Sequence, residues 1–279
     1  MNELATPQAI VVGIDGSNAA VRAALWAVDE AVSRDAPLRL LYASERAGTH
    51  ENEPAPAAAA ICHAVKAIEA TGKPVKVESE ITAGPVIASL IGASASASMV
   101  CVGAVGLRHF RPDRVGSVTA ALAVSARCPV GIIRSREGRG HRGANEIVVE
   151  LDASPDNGVL LGAAIMEARL RDAAVRAIVC RAAANDQRGP AAVECDRRSL
   201  AAVDRRLARW KRRYPEVRVE SVAVHGGLLE YLACHRERVG LAVVSARNRQ
   251  HVSELVGPAG GPVLHAACCS LLIVNQQHL

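Results

Sequence analysis

The stretch QAIVVGIDGS (residues 8–17) returns 137 residues later as NEIVVELDAS (145–154). Each copy is an apolar run rich in β-branched residues, closed by Asp, a small residue and Ser. A second pair matches in the same way: VGSVTAALAVSARCPVGII (115–133) parallels VGPAGGPVLHAACCSLLIV (256–274), 141 residues on. Similar openings and closings at nearly one offset indicate a tandem duplication, so the chain must fold as two like units. The segment RSREGRGHRGAN (134–145) is rich in Gly and Arg and has no apolar period, which makes it the link between them. The domains are accordingly placed at 1–137 and 144–279.

Each copy alternates strand and helix. In the first, strands are expected near 9–14, 38–43, 75–82, 98–103 and 130–134, with helices near 18–33, 56–70, 85–95 and 117–126. In the second, strands are expected near 147–151, 174–180, 217–224, 241–245 and 270–275, with helices near 157–171, 193–213, 227–238 and 260–267. Five strands alternating with four helices predict an α/β fold: two tandem, doubly wound, five-stranded parallel-sheet domains. With 50% hydrophobic but only 2% aromatic residues, the core must be built from Ala, Val, Leu and Ile, as suits helices on a parallel sheet. The shortage of aromatic rings argues against a stacking platform for single-stranded nucleic acid.

The net charge of +5 is modest and spread along the chain, so no DNA partner is expected. Its densest basic cluster, RWKRRY (209–214), reads as a solvated helix end, where cations suit the dipole. The eight cysteines show no CxxC or Cys/His ligand spacing and are read as buried, reduced thiols rather than a zinc or thioredoxin-like site. HGGLLEYLACHRER (225–238) holds His225, Glu230 and His235 without HExxH spacing, so a metal site is not expected there. MNELATPQ has no signal-peptide pattern, and no apolar run reaches about 18 residues. A cytoplasmic protein without a membrane partner is the expectation.

Doubly wound sheets bind ligands beyond the carboxyl ends of their strands, at the topological switch point. Asp15 and Gly103 fall at such ends. In VGAVGLRHFRPDRVGSVT (102–119), Gly103 and Gly106 give a turn whose N–H groups can be approached closely. Gly116, Ser117, Val118 and Thr119 then open a helix, where unpaired N–H groups and the positive dipole end favour phosphate. The Ser117 and Thr119 hydroxyls add donors. No GxxxxGK[ST] occurs, so this is not a Walker A loop. The plain structural alternative makes the glycines turn residues and Ser117 an N-cap.

Together with ARCPVGII (126–133), IVVGIDGS (10–17) and GPVIASLI (84–91), this stretch resembles the ATP-binding subgroup of the universal stress protein family, as two tandem domains. The resemblance implies the adenine nucleotide alpha hydrolase-like fold, strand order 3-2-1-4-5. It implies ATP across the strand ends, with Mg²⁺ or Mn²⁺ on the phosphates. Residue by residue, Ile14 and Ala43 border adenine, and Asp15 lies near the ribose and metal. Gly103, Gly106, Gly116 and Ser117 form the phosphate loop, continued by Val118 and Thr119. Asp15 has a competing structural role as a cap for the first helix, shared with Ser17. The chain departs from the pattern at Ala104, Val105, Leu107 and Arg108. Arg108, His109, Arg111 and Arg114 either face phosphate or form a solvated loop.

The second copy keeps Asp152 and Ser154 but places Ser245 and Asn248 where Gly103 and Gly106 stand. After Gly257, Pro258 and Ala259 replace Ser117 and Val118. One ATP per chain, held by domain 1, is therefore expected. The fifth strands, PVGIIR and SLLIVN, are expected to be sheet edges that join the two halves or two chains of a homodimer. Three functions are weighed: regulatory ATP binding in a stress response with an unknown protein partner, slow ATP hydrolysis, and a structural relative with a vestigial site.

Overall fold

The computed structural model describes residues 8–44, 54–107, 115–134, 146–151, 157–181 and 190–275. The first half runs β1 (Ile10–Gly13), α1 (Asn18–Ser33), β2 (Leu38–Ser44), α2 (Pro54–Glu69), β3 (Val77–Ala83), α3 (Val86–Ala93), β4 (Met99–Gly103), α4 (Ser117–Ser125) and β5 (Val130–Ile133). The second runs β6 (Glu146–Leu151), α5 (Asn157–Arg171), β7 (Ala174–Arg181), α6 (Pro190–Arg213), β8 (Val219–His225), α7 (Leu228–Cys234), β9 (Val239–Ser245), α8 (Arg249–Val256), α9 (Gly260–Ala267) and β10 (Ser270–Val274). Every expected strand and helix is present.

Two elements differ from the sequence reading. Helix α8 is not expected from the sequence, because 246–259 aligns with the glycine turn of the first half. Its signal was nevertheless legible: Asn248 accepts a hydrogen bond from His251 N (3.1 Å), and Val252, Leu255 and Val256 are buried at helical spacing. Helix α7 stops at Cys234 rather than 238. The His235 ring stacks on Tyr231 and its Nδ1 lies 2.9 Å from the Tyr231 carbonyl, and the chain turns at once into β9.

All strands lie in one ten-stranded sheet of order β3-β2-β1-β4-β5-β10-β9-β6-β7-β8. Each half has the order 3-2-1-4-5 and is parallel throughout. The halves meet where β5 pairs antiparallel with β10, Ile132 opposite Leu271 and Val130 opposite Ile273. The fifth strands, which would be exposed edges in either half alone, are thus mutually satisfied and wholly buried. The Ser270 hydroxyl donates to the Arg134 carbonyl and accepts from the Arg134 N–H, both at 3.1 Å, which ties the seam further.

Two apolar layers flank the sheet, one beneath α1, α2, α5 and α6 and the other beneath α3, α4, α7, α8 and α9. Ala23, Ala24, Ala27 and Ala31 let α1 lie close on the strands, all without exposure. Cys101, Cys128 and Cys269 are buried as expected, whereas Cys62 and Cys234 are exposed on helix faces, contrary to the reading of all eight as core thiols. Burial pushes the Cys128 thiol up to about 12. Lys211, Arg212 and Arg213 do form the exposed last turn of α6. No helix among the described residues is long and apolar enough to cross a membrane.

The duplication also places charge at the junction. Glu30 and Arg34 of α1 occupy the same repeat positions as Glu167 and Arg171 of α5. The Glu30 side chain is 0% exposed and accepts from both Arg34 and Arg171, the latter reaching across from the other half. Arg171 Nε donates to Glu167 at 3.0 Å, and its guanidinium lies 4.1 Å from the Trp26 ring centroid. Burial, then the neighbouring Glu30 carboxylate, raises the Glu167 pKa to about 8.

Candidate functional site

Strands β1 and β4 are neighbours, yet the chain leaves them for opposite layers, to α1 from one and to α4 from the other. The separating connections leave a crevice at the carboxyl ends of the strands. Ile14, Asp15, Ala43, Gly103, Gly106, Gly116, Ser117, Val118 and Thr119, the nine residues singled out in the sequence, all line this one cleft.

One end is apolar. Ile14 and Ala43 stand there with Leu41, Val86, Leu90 and Val102. The last four were not assigned from the sequence. Val86 and Leu90 lie one helical turn apart in GPVIASLI, so the signal was spacing on α3; Leu41 and Val102 became cleft residues only through strand register. Gly13 forms part of the same wall. A Cβ there would lie 3.2 Å from Val102 and 3.4 Å from Leu90.

The other end is polar and is made by the backbone. Gly116 is the N-cap of α4, with ordinary extended dihedrals and no side-chain cap; Ser117 is the first helical residue, not the cap. Gly116 N donates to the Ala104 carbonyl at 3.0 Å. Among the described residues, the next three amides, of Ser117, Val118 and Thr119, have no acceptor. A Cβ on Gly116 would lie 3.9 Å from Gly106 N, so the turn and the helix start face one space. The Ser117 side chain is exposed there. This end presents unpaired N–H groups and the positive end of a helix dipole, a combination suited to an anion.

Three residues act differently from the sequence reading. Gly103 is required by packing: a Cβ would lie 2.7 Å from the Ala19 backbone, where α1 presses on the end of β4. The Thr119 hydroxyl is not a free donor, since it is buried and donates to the Gly103 carbonyl at 3.0 Å. Asp15 does not cap the first turn of α1; Ser17 does, accepting from Ala20 N at 3.1 Å. Asp15 instead accepts from Ser17 N (2.9 Å) and from Leu107 N (3.0 Å), pinning the β4–α4 turn to the end of β1. Gly106 makes room for that carboxylate, because a Cβ would lie 2.7 Å from Asp15 Oδ2. The two inner glycines therefore shape the turn, and the exposed amides belong to its outer end. Arg108, His109, Arg111, Arg114, Asp152 and Ser154 lie outside the described residues.

The second half has another arrangement. Asn248 caps α8 rather than forming a turn. Gly257 admits the Ser253 carbonyl, which a Cβ would meet at 2.6 Å, so it serves the α8–α9 junction. Pro258 and Ala259 precede α9, whose N-cap, Ala259, has no side-chain bond. Among the described residues, no group of three His, Cys, Asp or Glu side chains is arranged to hold a metal ion.

Sheet and cleft define a class: duplicated, doubly wound α/β proteins with a ligand crevice at the switch point. Comparison with known proteins places the chain within it. The universal stress protein family matches residues 7–134. Along its full length the chain is 54% identical to the universal stress protein Rv2028c of Mycobacterium tuberculosis strain H37Rv, with 100% of both chains covered. It is 38% identical to Rv2624c of the same strain, with 97% of both covered. A universal stress protein from Archaeoglobus fulgidus has the same fold, with a TM-score of 0.69, 16% identity and 96% of each chain covered. The chain belongs to the universal stress protein family.

Proposed function

We propose that the cleft of the first half binds ATP and that the protein is a nucleotide-dependent regulator rather than a dedicated enzyme. The observation that carries this reading is the pairing of an apolar end at Ile14 and Ala43 with unpaired amides at the start of α4. A flat base fits the first and an anionic phosphate chain the second. Asp15 is the only ionisable side chain among the described residues lining the cleft, and both its oxygens already accept amides. A Mg²⁺ or Mn²⁺ ion accompanying the nucleotide would thus be held chiefly by phosphate oxygens, with Asp15 the one carboxylate offered by the described residues. Hydrolysis needs a group that orients or deprotonates water near the γ-phosphate, and no second carboxylate or histidine lines the cleft among those residues. Binding without rapid turnover suits a ligand that favours one conformation and so tunes a partner's affinity.

The test is nucleotide content and stoichiometry. Protein purified without added nucleotide and examined by mass spectrometry should release ATP or ADP. Calorimetric titration of stripped protein with Mg·ATP should saturate near one equivalent per chain, with ADP and cyclic AMP as comparators. Absence of binding by all three at millimolar concentration would refute the reading.

A further inference from the structure

The second half has a cleft position too, and its own side chains stand in it. The repeat fixes the correspondence, because Ile10 pairs with Leu38 as Ile147 pairs with Val175. Both strands of the second half therefore carry the same 137-residue offset. Glu150 then stands where Gly13 stands, and Cys180 where Ala43 stands. A position that lines the cleft without a side chain in the first half, Gly13, carries a carboxylate in the second.

That carboxylate is held. His251, on the additional helix α8, brings Nε2 to 2.6 Å from Glu150 Oε2, and both side chains are mostly buried. The Glu150 bond raises the His251 pKa, and Glu254 on the same helix, with Oε2 4.0 Å from His251 Nδ1, adds to the attraction. On the neighbouring strand Cys180 lies two residues beyond Ile178, the register partner of Glu150, and its thiol is pushed up to about 12 by burial and then by Glu150 and Glu230. The Glu230 carboxylate is itself turned toward the Gly227 amide, 3.3 Å away. Loss of the glycine and gain of α8 thus converge on one closed arrangement.

We propose that Glu150, clamped by His251, shuts the second cleft from the position that Gly13 lines in the first, and adds to the lost phosphate cradle in limiting the chain to one nucleotide. The side chain occupies the wall position, and its bond to His251 holds it there. The stoichiometric part of this inference rests on the proposed nucleotide site of the first half; the closure itself does not.

The experiment compares the full chain with Glu150→Gly and Glu150→Gln. Alkylation of Cys180 by iodoacetamide, resolved by peptide mass spectrometry, reads the closure without nucleotide. Glu150→Gly should raise the Cys180 rate at least tenfold while Cys101 stays protected. Glu150→Gln, which keeps the volume but also removes the charge that raises the Cys180 pKa, should stay at least threefold slower than Glu150→Gly. In ATP titrations Glu150→Gly should add a second equivalent bound at least tenfold more tightly than any second equivalent of the wild type. An unchanged Cys180 rate in a folded Glu150→Gly chain, or two equal equivalents in the wild type, would overturn the proposal. Wild-type protein that binds no ATP while Glu150→Gly still exposes Cys180 would refute the nucleotide reading and leave the closure standing.

Discussion

Glu167 provides the sharpest physical test of the junction between the halves. Its carboxyl is 2% exposed and adjoins Glu30, with Arg171 and Arg34 the nearby cations and the Cys101 thiol on the neighbouring strand. Its pKa stands at about 8 in the fold, against 4.5 for an unperturbed group. A carboxyl whose folded pKa is raised contributes most to stability below its unfolded value. That contribution is lost as pH rises through the folded value. Between the two, the folded chain holds one proton more than the unfolded chain, so stability falls by ~1.4 kcal/mol per pH unit. Glu167→Gln keeps the shape and cannot ionise in either state. Relative to this variant, the wild type should lose up to about 4 kcal/mol from pH 5 to pH 8. Urea denaturation of both proteins at each intervening pH measures the difference. Parallel stability curves would show that Glu167 ionises normally in the fold.

Gly103→Ala forces a Cβ to within 2.7 Å of the Ala19 backbone and should cost about 1–3 kcal/mol in urea denaturation, because α1 must lift from β4. Gly106→Ala pushes on Asp15 Oδ2, and loss of the Leu107 N–H bond should cost about 1 kcal/mol and weaken ATP binding in calorimetry. A Cβ on Gly116 would meet its neighbours only at ordinary contact distance, 3.8 Å or more, so Gly116→Glu should fold normally yet abolish ATP binding by setting a carboxylate against the amides of α4; wild-type affinity in that variant would remove phosphate from this end. Lysines at Ile132 and Ile273 together should speed deuterium exchange along β5 and β10, since both side chains are buried in the seam; unchanged protection there would mean the pairing is not what holds the halves together.

The sequence alone determined the strand succession, the helices other than α8, and the duplication, because buried parallel strands need unbroken apolar runs and the repeat offset is visible in the letters. It also marked the nine residues around the first cleft, Ile14 and Ala43 through the family resemblance and the other seven because strand ends and helix starts are local features. Tertiary structure decided what several of them do. Gly103 faces Ala19, Thr119 bonds the Gly103 carbonyl, and Asp15 pins Leu107, all contacts between segments far apart in the chain. The second half shows the same division. Pro258 and Ala259 revealed a lost cradle, but not that Glu150 fills the place of Gly13, or that an unexpected helix supplies His251 to hold it. Periodicity reports which face of an element is buried. Which side chain meets which across 101 residues depends on strand register and helix placement, and those are fixed only when the whole sheet assembles.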